Sequence, residues 1–133
     1  MSTREATSTR GSETRAIQAA NDLGHALVRS PAFRNFEAAQ EAFMKADGLR
    51  ERFDRYQRRR QDLQNARAWG GLDPAVEREL DAEWQRLSRM PEVQAYQEAQ
   101  EELIQLCTQI VAKISAGVGI DFGRACAPAG GCC

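Results

Sequence analysis

From Val93 to Ile114 the residues Val93, Tyr96, Gln100, Leu103, Cys107, Ile110 and Ile114 follow one another at intervals of three and four. That interval keeps one face of a 3.6-residue helix in line, and Ile104 and Val111 widen the face. A strand needs alternation by two, and no stretch of the chain supplies it convincingly. The helical spacing returns in Leu49, Phe53, Tyr56 and Leu63, and again in Val76, Leu80, Trp84 and Leu87. Cap and breaker residues divide these stripes. Asp47 is a candidate cap for the middle helix, and "GGLDP" breaks the chain so that Asp73 caps the next one and Pro74 opens it. The expectation is an all-α chain of about five helices, roughly 13–29, 31–46, 48–68, 74–89 and 91–117, folded as an antiparallel bundle.

The pattern also repeats. "SPAFRNFEAAQEAF" at 30–43 and "MPEVQAYQEAQEEL" at 90–103 superpose at an offset of sixty, which matches Pro31 to Pro91, Phe36 to Tyr96, Ala39 to Ala99 and Phe43 to Leu103. Proline suits the first helical position, where its fixed φ fits and its missing N–H is not needed. Ser30 is a good N-cap for the first copy, whereas Met90 is a poor one for the second. Leu27 and Leu87 stand four residues before each proline, so each copy reads as helix, tight corner, helix. Duplication and two independently similar helix starts both account for this.

With 133 residues the chain suffices for one modest core, and a net charge of −1 creates no overall field toward nucleic acid or anionic lipid. No apolar run approaches the roughly 20 residues needed to cross a bilayer. The opening "MSTREATSTRGSETR" lacks the apolar core of a secretory signal, and Glu5 and Glu13 count against a transit peptide. The expected organisation is a disordered arm over 1–12, a helical domain over 13–117 and a flexible cysteine-containing tail over 118–133, in a cytoplasmic protein.

Residues ~16 to 117 resemble the YlbF/YmcA family of small helical bacterial regulators. The features that carry the resemblance are "SPAFRNFEAAQEAF" with the "KAD" after it, the Gln/Arg-rich middle helix, and "RMPEVQAYQEAQEELIQL", of which "MP-x-V-x-x-Y" is the most specific. The resemblance implies a helical protein that forms homo-oligomers or pairs with a related helical paralogue and has no catalytic activity of its own. It also implies a YaaT-like protein partner, a link to RNA processing through a ribonuclease complex or to developmental decisions, and an association with iron–sulfur clusters. No membrane or DNA partner is expected.

Two groups of residues are candidates for chemistry or contact. Cys126, Cys132 and Cys133 lie in a Gly-rich tail where thiols are exposed, and soft thiolates select zinc, copper(I) or iron–sulfur clusters. The C-x5-C-C spacing matches no standard zinc or ferredoxin pattern and is one thiolate short of four. An inert tail therefore competes with the metal reading; lipidation is remote, because the terminal "GGCC" resembles the doubly prenylated end of Rab-type GTPases but the chain has no phosphate loop. Cys107, inside an apolar stripe, reads as core packing. His25, the only histidine, has no catalytic partner that spacing can place, and no nucleophile or carboxylate pair stands out, so no catalytic residue is assigned.

Charge is segregated along the chain. Residues 50–67 hold seven arginines against three acids, and residues 73–102 hold nine acids against three arginines. Arg52, Arg55 and Arg59 are expected to face solvent, opposite Phe53 and Tyr56, as candidates for RNA or partner contact. The competing account is a solvated face with intrahelical pairs such as Asp54–Arg58. Self-association is expected because Phe33, Phe36, Phe43, Phe53, Tyr56, Trp69, Trp84 and Tyr96 exceed what one small bundle would bury. The function expected is that of a cytosolic regulatory adaptor with tail cysteines as iron–sulfur or other soft-metal ligands. The alternative is a structural or RNA-binding helical module with an inert tail.

Overall fold

The computed structural model describes residues 2–71 and 73–127. Its order is α1 (Ser2–Arg29), α2 (Pro31–Lys45), α3 (Leu49–Ala68), α4 (Pro74–Ser88), α5 (Pro91–Val118) and α6 (Phe122–Ala125), with no strand among the described residues. The all-α expectation holds, with one short helix more than the apolar stripes predicted.

Local chemistry sets the boundaries. Ser30 Oγ accepts from the Phe33 amide at 3.3 Å, and Asp73 Oδ1 accepts from the Ala75 amide at 3.0 Å, so both act as the expected caps. Met90 makes no side-chain cap, also as expected. Asp47 does not cap α3. Gly48 holds that place with φ 69 and no side-chain cap, because its left-handed backbone reverses the chain between α2 and α3.

Of the arm expected over 1–12, residues 2–12 are helical and continue into α1, with no proline to interrupt them. Residues 119–127, expected as flexible tail, are built into the fold. Gly119 closes α5 with φ 81, Asp121 Oδ1 accepts from the Arg124 amide at 3.2 Å, and the Phe122 amide donates to Ser115 Oγ at 3.0 Å. These bonds turn α6 back along the end of α5.

The offset of sixty is a structural equivalence at two corners. The Ser30 amide donates to Leu27 O and the Met90 amide to Leu87 O, each at 3.0 Å. The helices that follow, α2 and α5, pack antiparallel, so Ala39 and Ala99 are both buried and the Phe36 and Tyr96 rings lie 5.6 Å apart. Small alanines at equivalent sites let the two backbones approach. Beside this pair, α3 and α4 form a hairpin.

The core lies where this hairpin meets α2 and α5. Leu49, Leu87 and Val93 are sealed, at 1%, 0% and 1% exposure, with Phe43, Tyr56 and Leu80 around them. Fully burying each such aliphatic side chain contributes on the order of 1.5–3 kcal/mol. An aromatic chain runs through the core: Phe43 meets Phe53 edge-on at 5.4 Å, and Tyr56 stacks on Trp84 at 5.6 Å.

Candidate functional site

The segregated charge resolves first. Arg52 Nε donates to Glu83 Oε1 at 2.6 Å and Arg59 Nη2 to Glu79 Oε2 at 2.7 Å, while Arg67 pairs with Glu77 nearer the hairpin tip. The Arg-rich helix and the Glu-rich helix are two sides of one seam. Glu83 also accepts from Arg86 at 3.0 Å. Its carboxyl is held below the ordinary carboxylate range, first by the hydrogen bond from Arg52, with burial opposing and Arg86 adding to the depression. The same bond raises the Arg52 guanidinium above its usual value.

Arg59 is exposed and Arg52 half-buried, and each has its charge matched across the seam, by Glu79 and Glu83. Arg55 stands with them in the charged groove beside Tyr56. Asp54 pairs with Arg50 at 3.9 Å, rather than with Arg58. The missed signal was the partner: α3 arginines and α4 glutamates count in opposite directions along a hairpin, as 52, 59 and 67 meet 83, 79 and 77.

The uncovered apolar surface is aliphatic. Of the eight aromatics expected to overfill a monomer, only Trp69 is exposed; the others pack within the one chain. On α5, Ile104, Val111 and Val118 repeat every seven residues and are 51%, 37% and 57% exposed. Phe36, Leu103, Ile104, Cys107 and Val111 line an apolar groove of about 850 Å³ at this place. On α1, Ile17, Leu23 and Val28 are exposed, and the helix touches only α2 among the described elements. The periodicity that revealed these helices could not say which parts of their faces stay uncovered.

Among the thiols, Cys107 is half-buried on α5 and Cys126 is exposed at the end of α6, both free. Cys132 and Cys133 lie outside the described residues. No group of three or more His, Cys, Asp or Glu that could hold a metal occurs among the described residues. Three thiols in eight residues suit a soft metal by donor chemistry, and the exposure of Cys126 leaves its sulfur accessible to one. His25 is exposed on α1. No helix of the described residues is long and apolar enough to cross a membrane.

A family model described as "Control of competence regulator ComK, YlbF/YmcA" matches residues 16–119. The chain belongs to the YlbF/YmcA family. No curated relative and no solved structure matches it. The YlbF/YmcA span opens within α1 and closes on Gly119, the C-cap of α5, so both uncovered apolar faces lie largely inside it. Cys107 lies within the YlbF/YmcA span, whereas α6, Cys126, Cys132 and Cys133 fall beyond it.

Proposed function

We propose that this YlbF/YmcA chain is a non-enzymatic regulatory adaptor that binds other proteins, including copies or paralogues of itself, through α1 and the distal half of α5. The observations that carry this reading are the aliphatic surface of Ile104, Val111 and Val118 on α5 and, separately, a long helix α1 that packs only on α2. The family's description as a competence regulator supports a place in developmental control, and a YaaT-like protein is the partner proposed. RNA contact through Arg52 and Arg59 finds less support, because their charges are matched by Glu83 and Glu79.

Cys126, Cys132 and Cys133 are proposed as ligands for an iron–sulfur cluster or zinc. The support is the soft donor chemistry of three closely spaced thiols.

Co-expression with a YaaT-like protein from the same organism, followed by light scattering on the purified material, tests the adaptor reading. A stable complex that is lost in Ile104→Glu is expected. Two separately migrating proteins, with developmental or RNA-processing phenotypes absent on deletion, would overturn it.

A further inference from the structure

The seam between α3 and α4 carries a groove away from the faces of α1 and α5. Near the hairpin tip, Leu63, Ala66 and Val76 line a hollow of about 480 Å³. Further along, Arg52, Arg55, Arg59 and Arg86 line a second of about 570 Å³ together with Glu79 and Glu83. Arg59 borders both, so the hollows are neighbours on one seam. All the residues that line them belong to α3, α4 or the turn between.

The two halves differ in chemistry. In the second, four guanidiniums meet two carboxylates, an excess of two positive charges. Glu83 accepts from both Arg52 and Arg86, and Glu79 accepts from Arg59, so both carboxylates are engaged. Arg55 is exposed and enters no ion pair among the described residues. A guanidinium left over beside engaged carboxylates is free to donate to a further oxyanion, and a carboxylate matches its planar fork. The tip half is aliphatic. Trp69 stands next to it, 92% exposed, with its amide donating to Ala66 O. Tryptophan is enriched among the residues that carry the energy of protein interfaces.

We propose that this groove docks an acidic segment of a partner protein, with aliphatic side chains in the Leu63–Val76 hollow beside Trp69 and carboxylates on Arg55 and Arg86. Charge decides which end goes where. Asp62 and Asp73 border the aliphatic hollow and repel carboxylates there, while the guanidinium excess lies toward Arg86. The same two acids disfavour a nucleic acid, whose regularly spaced phosphates would have to pass them. From Val76 to Arg86 along α4 is about 15 Å, the reach of roughly five extended residues. The groove therefore suits a short linear segment.

Fluorescence anisotropy on the full-length chain tests this with labelled probes. They are a peptide of leucines followed by glutamates, its counterpart ending in lysines, polyglutamate, and single-stranded RNA. Only the leucine–glutamate peptide is expected to bind well. Arg55→Glu and Trp69→Ala should each weaken it about tenfold, whereas Arg58→Glu, exposed on α3 outside the groove, should leave it unchanged. All three residues are exposed, so their thermal melts should match wild type. Unchanged binding in Arg55→Glu, equal binding of polyglutamate, or tighter binding of RNA would each overturn the proposal. So would the absence of any signal from the leucine–glutamate peptide at about 1 mM. A YaaT-like complex that still forms in that case would leave the adaptor reading standing, because Ile104→Glu probes it through another face.

Discussion

Arg52 on α3 grips both carboxylate oxygens of Glu83 on α4, Nε to Oε1 at 2.6 Å and Nη2 to Oε2 at 3.3 Å. The fork fixes the pairing of the hairpin more firmly than a single bond would, because two parallel donors meet two acceptors. Glu83→Gln should lower unfolding stability by about 1 kcal/mol, and Arg59→Gln by less, since Arg59 and Glu79 are more exposed. Urea titrations of both variants at one fixed protein concentration check this ranking.

The pH dependence follows from the same pair. Glu83 is depressed when folded, chiefly by the Arg52 hydrogen bond, so the unfolded chain binds its proton more readily. Its contribution is present above the ordinary carboxylate range and is lost as pH falls through the depressed folded value. Thermal melts from neutral to acid pH should therefore converge for wild type and Glu83→Gln at the acid end.

Caps separate what binds from what merely stands nearby. Asp73→Ala should cost about 1 kcal/mol because it frees the Ala75 amide, while Asp47→Ala should stay near zero. Gly48→Ala should cost about 1 kcal/mol, since φ 69 is strained for any residue with a Cβ. Equal losses at Asp47 and Asp73 would contradict this assignment.

Burial ranks the next two changes. Leu87 is sealed at 0% exposure, and Leu87→Ala should cost about 2–5 kcal/mol. Cys107 is half-buried on the rim of an open groove, so Cys107→Ala should cost no more than about 1 kcal/mol. Denaturant unfolding at a fixed concentration reads both, because association would shift the apparent values.

The tail thiols have their own test. Truncation after Ala125, or Ser at Cys126, Cys132 and Cys133, should leave the thermal melt of the bundle within about 0.5 kcal/mol of wild type, as Cys126 is exposed beyond α5. Iron, sulfide and zinc measured after anaerobic purification should be present in the wild type and fall to background in both variants. Equal metal in all three would remove these thiols from the proposed site.

Apolar residues at threes and fours, and prolines and caps at their boundaries, determined five of the helices from sequence alone, because helix formation is local and periodic. The corners at Leu27–Ser30 and Leu87–Met90 were legible for the same reason. What the arginines of α3 faced was not: Arg52 and Glu83 are 31 residues apart, and only the hairpin brings their charges together. Nor could the spacing of Ile104 and Val111 reveal that α2 covers one side of α5 and leaves these two exposed. Periodicity shows that a face is apolar, whereas coverage depends on where every other helix lies, and that is decided by the tertiary packing.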